Sequence, residues 1–280
     1  MKRLIPLLLA LFLGAAAYCA PPPPESAEGM LSFAEALLKN QDSYRAATEF
    51  MRVIHFFPDD TDITAKALTG LGRSYASAGR WEDASGAYSA LFNLEPTAEN
   101  RHLYGTALYL AGIYPPAVSI LTGGESTPES YRTLATLAWI KSGEKAKTPA
   151  KLDAEIVKEH ERLPGKSPAL AGLLSAVLPG SGHLYVERPH DALMAFAVNS
   201  IFIWGTISAA NRGNEEAALA LGAIELIWYS GTISGAVTGA QKWNHREEER
   251  FFERRESGNI PSFSLWGDAK GGGVLLTSSF

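Results

Sequence analysis

His183, Glu187 and His190 are the residues of this chain whose types and spacing come nearest to chemistry. A His and a Glu four apart share one face of a helix and could hold a divalent metal. Gly180 and Gly182 argue against a helix at that point, and no fourth ligand is evident, so the expectation is no metal site. Glu225 is the only charge in a long apolar run, where a carboxylate must be protonated or paired with a group such as Asn199, Ser200 or Tyr229. A proton relay through Glu225 would need a second titratable group at its depth, and the sequence shows none. His55, His102, His160 and His245 are scattered and read as solvent-facing or structural. No G-x-S-x-G elbow, phosphate-binding loop or H-E-x-x-H string occurs, so the expectation is no enzyme and no cofactor.

The elements around these residues differ sharply along the chain. With 280 residues and 46% hydrophobic composition a sizeable core is available, but the apolar residues are distributed so unevenly that two or three modules are expected. There are 25 Lys and Arg against 30 Asp and Glu, a formal charge of -5, which speaks against nucleic acid as a partner. Cys19 is the only cysteine, which excludes an internal disulfide framework and cysteine-rich zinc or iron–sulfur sites.

Met1 to Ala20 has the three parts of a secretory signal peptide: Lys2 and Arg3, the apolar run Leu4 to Leu13, and small residues up to Ala17. Cleavage after Ala17 uses Ala15 and Ala17, whereas cleavage after Ala20 would place Pro21 next. Lipidation of Cys19 is opposed by the bulky Tyr18, and an uncleaved anchor is the remaining alternative. Each version exports the chain beyond the proline-rich linker 21–26.

Over 27–164, apolar residues recur at helical spacing. With Ala65 as a start, Leu71, Gly72, Tyr75, Gly79, Ala84, Tyr88 and Pro96 describe two antiparallel helices: Gly72 and Ala84 permit close approach, Leu71, Tyr75 and Tyr88 fill the seam, Gly79 turns the chain and Pro96 ends the second helix. Phe33, Ala34, Leu37, Ala46, Phe50 and Pro58 repeat similar offsets one unit back. Tyr104, Gly105, Leu108, Gly112, Tyr114, Ala117 and Leu121 do so one unit forward, and a weaker unit runs through Leu134, Ala135, Trp139 and Gly143 into Ala150 to His160. This segment resembles the tetratricopeptide repeat family over roughly half the chain. The resemblance implies a helical solenoid that binds a protein or peptide without chemistry, in a groove lined by the first helix of each pair. It assigns Glu35 and Lys39, Thr69 and Arg73, and His102, Thr106 and Tyr109 to that groove, with Tyr109 expected to stack on or hydrogen-bond an extended peptide.

After Pro164 the composition changes. Asp191 is followed by nineteen uncharged residues, and a second apolar run extends over 217–240. Each is long enough to cross the roughly 30 Å hydrocarbon layer, and the short polar turn between them makes a helical hairpin, so 191–210 and 217–240 are expected to be transmembrane helices. Gly231, Gly235 and Gly239 recur at four-residue spacing, which permits helix packing within the hairpin or against a partner. Ahead of the hairpin, an apolar run of half-membrane length meets Pro179, Gly180, Gly182, Tyr185 and Pro189. That string followed by a hairpin resembles a small bacterial two-transmembrane domain with a P-G-x-G-[QH]-x-Y-x-G-[RK] motif, over roughly residues 168 to 245, with Glu187 standing where the family carries glycine. The resemblance implies a fold and no chemistry, with 169–186 interfacial or re-entrant in the membrane module 165–245.

If only the hairpin crosses, exported repeats require an exported tail. A third crossing by Ala169 to Val186 would suit the preference of Lys242, Arg246 and Arg250 for the cytoplasm better, but the segment is short. The tail 246–280 is read as amphipathic, with Trp243, Phe251 and Phe252 at the membrane surface. Beyond it lies a flexible end with strand-like stretches around a glycine-rich turn; one hairpin cannot make a barrel. The fold class expected is all-α, a tetratricopeptide-type solenoid followed by a transmembrane hairpin. The function expected is a non-enzymatic scaffold at the bacterial inner membrane with its repeats in the periplasm. Its partners would be an envelope protein or peptide and membrane lipid, with helix association through the glycine stripe. The alternative is a subunit of a membrane assembly or transport complex acting through its hairpin.

Overall fold

The computed structural model describes residues 26–124, 128–144 and 150–257, and the backbone of 262–266 and 273–277. The signal peptide, most of the proline-rich linker and Cys19 lie outside the described residues. The chain is helical and divides into two compact units, with the boundary between Lys151 and Leu152 and the second unit ending at Asn259.

The first unit contains α1 (Ala27–Lys39), α2 (Ser43–Phe56), α3 (Thr61–Ser77), α4 (Trp81–Leu94), α5 (Ala98–Leu110), α6 (Tyr114–Thr122) and α7 (Glu129–Lys141). Side chains of Ser26, Asp42, Asp60 and Thr97 start four of these helices by accepting the backbone N–H three residues on. The turn inside each pair holds one left-handed residue: Gln41 (φ 64), Gly79 (φ 71) and Gly112 (φ 77). The next N–H then reaches back into the helix just ended, Asp42 to Leu37, Arg80 to Tyr75 and Ile113 to Leu108. One helix end is thus used three times, and glycine serves it best because it carries no Cβ.

Close packing follows the same repetition. A Cβ on Gly70 would lie 2.3 Å from the Phe50 ring, one on Gly72 2.3 Å from Tyr88, and one on Gly105 2.5 Å from Leu121. Phe50, Tyr88 and Leu121 are all at most 1% exposed. Burying a large apolar side chain in this way stabilises by roughly 1.5–3 kcal/mol, so the glycines are where much of the core is gained. Each helix packs on its chain neighbours, an arrangement compatible with a helical-repeat solenoid.

The second unit contains α8 (Ala154–Glu161), α9 (Pro168–Val177), α10 (Ser181–Tyr185), α11 (Pro189–Asn211) and α12 (Glu215–Glu256). Its first helix corrects the sequence reading, which gave this stretch to a last repeat. Instead His160 sits against Phe251 at 5.3 Å and Phe252 at 6.0 Å, and Glu159 pairs with Arg255. Phe251 and Phe252 are accordingly buried under α8 rather than free for a membrane surface. The 42 residues of α12 form one unbroken helix, about 63 Å long.

Helices α11 and α12 are the two long apolar helices expected, with mean hydropathy of 1.6 and 1.3 over their most apolar stretches. Only 11% and 6% of those stretches are buried, whereas a core helix of a soluble protein would be mostly covered. Ser262–Trp266 (β1) pairs antiparallel with Gly273–Thr277 (β2), so the strand-like ends of the tail form a hairpin.

Candidate functional site

Two places hold polar groups that the fold leaves without partners. In the first unit they lie on the first helices of successive pairs. Thr69, His102 and Arg132 recur along the sequence on α3, α5 and α7, 33 and 30 residues apart, and Arg73, Thr106 and Thr136 recur likewise, each four residues further along. His102 stacks flat on Tyr131 of α7, with ring centroids 4.1 Å apart and 7° between planes, so α5 and α7 lie side by side. Tyr131 is itself held by donating its hydroxyl to the Ala98 carbonyl at 2.9 Å.

Arg73 Nε, His102 Nδ1, Thr106 Oγ1 and Arg132 Nε are buried and have no hydrogen-bond partner among the described residues. The Tyr88 hydroxyl, close enough to Arg73 to feel its charge, is in the same state. Burial lowers His102 to about 4, so the ring is neutral at pH 7. Burial raises the Tyr88 and Tyr131 hydroxyls. The two guanidinium groups and the neutral imidazole, on half-buried side chains, are suited to carbonyl and amide groups. A buried polar group left unpaired costs about 1–3 kcal/mol, which a ligand supplying the partner would recover.

The structure separates the groove residues expected from sequence. Glu35 and Lys39 are exposed on α1, and Thr69, Arg73 and His102 are half-buried. Thr69 donates its hydroxyl to the Ala65 carbonyl within its own helix. Thr106 and Tyr109 are 1% and 3% exposed, which corrects their assignment to an open surface. The Tyr109 ring is already flanked by Lys141 Nζ at 4.8 Å and the Tyr114 ring at 5.8 Å, so it has no face to offer a peptide. Arg132 and Tyr131 were missed, although Arg132 comes 30 residues after His102 and His102 comes 33 after Thr69. That recurrence was the available signal.

In the second unit, the Pro179 to Tyr185 motif folds against α12. Gly180 is left-handed (φ 91), and a Cβ there would meet the Ala192 carbonyl at 2.2 Å. Contrary to the expectation from sequence, the glycines do not prevent a helix: α10 begins at Ser181. Gly182 is needed within it because a Cβ would lie 2.0 Å from the Ala171 carbonyl of α9 and 2.9 Å from Ala236 of α12. Glu187, where the resemblance leads one to expect glycine, does adopt a left-handed conformation (φ 63).

What holds Glu187 there is a cluster around Lys166. Lys166 Nζ lies 3.0 Å from Glu187 Oε1, donates to the Tyr185 carbonyl at 2.8 Å, and stands over the Tyr185 and Trp243 rings at 5.1 and 5.0 Å. Trp243 Nε1 donates to Glu187 Oε2, and the Ser167 N–H donates to the Tyr185 hydroxyl. Asn244 accepts from the Lys166 N–H at 2.7 Å and donates to its carbonyl at 2.9 Å. The hydrogen bond from Lys166 holds the Glu187 carboxyl below its usual range.

The glycine stripe divides. Gly235 receives the His183 ring at 3.1 Å from its would-be Cβ and Gly239 receives Val186 at 3.0 Å, whereas nothing lies within 4 Å of Gly231. His183, Glu187 and His190 do not gather: His183 turns to α12, Glu187 to Lys166, and His190 is exposed. Two of the three partners expected for Glu225, Asn199 and Tyr229, are engaged elsewhere. Asn199 donates to Thr232 Oγ1 at 3.2 Å and to the Ala195 carbonyl, and the Tyr229 hydroxyl donates to the Ala176 carbonyl at 2.9 Å. Both Glu225 carboxyl oxygens are without a partner among the described residues, as are Ser175 Oγ, His183 Nδ1 and Asn199 Oδ1.

Comparisons of the chain with protein-family profiles, curated proteins and solved structures find no match. The reading of both units therefore rests on their own residues.

Proposed function

We propose that this protein is a non-enzymatic, membrane-anchored scaffold of the bacterial cell envelope. An exported tetratricopeptide-type unit binds a protein or peptide along α3, α5 and α7, and α11 and α12 hold it at the inner membrane. The observation that carries this reading is a set of buried nitrogens without partners among the described residues, Arg73 Nε, His102 Nδ1 and Arg132 Nε, each on a half-buried side chain of successive first helices. An extended peptide supplies what they lack: carbonyl oxygens for the guanidinium groups and an N–H or carbonyl for the imidazole. The membrane part of the reading is supported by two helices of 23 and 42 residues whose apolar stretches are almost wholly uncovered. Its test is photocrosslinking in cells from Thr69 and Lys39, both on the face assigned to the groove. One discrete envelope protein is expected, lost when Arg73→Ala and Arg132→Ala are combined. No adduct from either position, or adducts indifferent to the double substitution, would sink the scaffold reading.

A second reading, a subunit of an assembly or transport complex, is favoured by one feature of α12. Ser230, Gly231, Ser234 and Thr238 lie along it within the apolar run, with Gly231 open on its outer side. Their hydroxyls are spent on their own helix, Ser230 on Ile227, Ser234 on Ser230 and Thr238 on Ser234, which leaves a small, smooth face suited to another helix. Loss of function with Gly231→Leu but not with the arginine substitutions would favour this second reading.

A further inference from the structure

The contacts of α9 and α10 along α12 run in order. Lys166 meets Asn244, Gly172 packs on Val237 and Ile233, and Ala176 accepts from Tyr229. On the way back Gly182 packs on Ala236, His183 on Gly235, Val186 on Gly239, and Glu187 binds Trp243. The segment thus descends α12 from Trp243 to Tyr229, turns at Pro179 and Gly180, and returns to where it started. From Trp243 to Tyr229 is about 21 Å of helix axis, about half of a bilayer roughly 40–45 Å thick with its interfacial regions, so with Trp243 at the interface the end of α9 at Ala176 reaches the depth of the midplane.

The outer surface of this segment matches that depth. Leu173 is 63% exposed, Val177 78%, Leu178 51% and Leu184 61%, with no Asp, Glu, Lys or Arg between Lys166 and Glu187. At the level where it ends stand Lys166, Tyr185 and Trp243, the residue types that gather at a membrane–water boundary. Helix α11 keeps the same frame: Asn199 is level with Thr232 and Gly205 with Leu221.

Resting on the reading of α11 and α12 as spans, we propose that α9 and α10 form a re-entrant wedge whose partner is the acyl chains of one leaflet, and that the wedge makes the protein recognise membrane curvature. Four helical segments stand side by side in the leaflet bounded by Trp243, and only α11 and α12 continue through the other. A cross-section larger in one leaflet fits best where that leaflet is expanded, which is the outer leaflet of a strongly curved membrane. The backbone that returns from the end of α9 is tolerated within the apolar layer because it is covered: the Ser181 hydroxyl donates to the Leu174 and Leu178 carbonyls, and Gly180 lies against the Ala192 carbonyl in the first turn of α11.

The test uses the full chain, with Cys19→Ser, in phosphatidylcholine and phosphatidylglycerol vesicles of graded diameter, oriented with α8 outside. An environment-sensitive fluorophore on Leu178→Cys is compared with one on Ile201→Cys, which lies mid-span on α11, and on Arg188→Cys, at the boundary. Expected are quenching of the Leu178 probe by deep lipid labels, as for Ile201, and a surface density that rises as diameter falls. Leu173→Asn with Val177→Asn, both outward-facing, should abolish the size dependence while carbonate-resistant insertion persists. Quenching at Leu178 like that at Arg188 overturns the wedge, and deep quenching with no size dependence overturns curvature recognition. Extraction of the unsubstituted chain by carbonate overturns the spanning reading beneath it.

Discussion

His102 gives the repeat unit a pH dependence whose size can be worked out. Its ring is enclosed against Tyr131, and burial takes it from 6.5 to about 4. A depressed histidine binds its proton more readily in the unfolded chain, so stability is complete above about pH 6.5 and is lost as pH falls towards 4. Each tenfold difference in proton affinity between the folded and unfolded chain corresponds to about 1.36 kcal/mol. The loss is then about 2 kcal/mol at pH 5 and about 3 kcal/mol at pH 4. Opening of α5 and α7 should therefore become about a hundredfold more frequent between pH 7 and pH 4. Hydrogen exchange of peptides from these helices, corrected for intrinsic rates, reads this directly. His102→Gln keeps a planar polar group without the titration and should flatten the dependence. Protection that is unchanged between pH 7 and pH 4, or equally pH-dependent in His102→Gln, refutes the buried neutral histidine.

Three further outcomes separate positions that look alike in sequence. Gly86→Ala meets nothing within 4 Å and should stabilise α4 by about 1 kcal/mol, whereas Gly72→Ala would press on Tyr88 and destabilise, both read by denaturant unfolding of the repeat unit. Gln41 holds the left-handed position that glycine holds at 79 and 112, so Gln41→Gly should stabilise the repeat unit by up to about 1 kcal/mol, read as a higher unfolding midpoint. Gly182→Ala should strip α10 from α9, because its Cβ would lie 2.0 Å from a backbone oxygen, while Gly231→Ala should be silent in thermal melts of the second unit. Equal effects of the last two substitutions would refute the packing described for α10.

The all-helical class, the helix pairs and the two long apolar helices were legible because each rests on local information. Spacing at 3.6 residues, capping side chains such as Asp42 and Thr97, glycines at turn positions and runs of uncharged residues act within one or two turns of chain. Gly72 and Gly79 could be assigned roles before any neighbour was known. What only tertiary packing decided is which face of a helix stays open and which distant segment covers it. Tyr109 has the spacing of a groove residue, yet Lys141 and Tyr114 close over it. Arg132 recurs 30 residues after His102 in the sequence, but only packing leaves its buried Nε without a partner among the described residues. Glu187 holds a left-handed conformation where Lys166 and Trp243, 21 and 56 residues away, bind its carboxylate. Phe251 and Phe252, amphipathic by pattern, are taken by α8. Periodicity states that a face is apolar or polar, but its partner is chosen by shape and charge complementarity between segments far apart in the chain, and that information exists only in three dimensions.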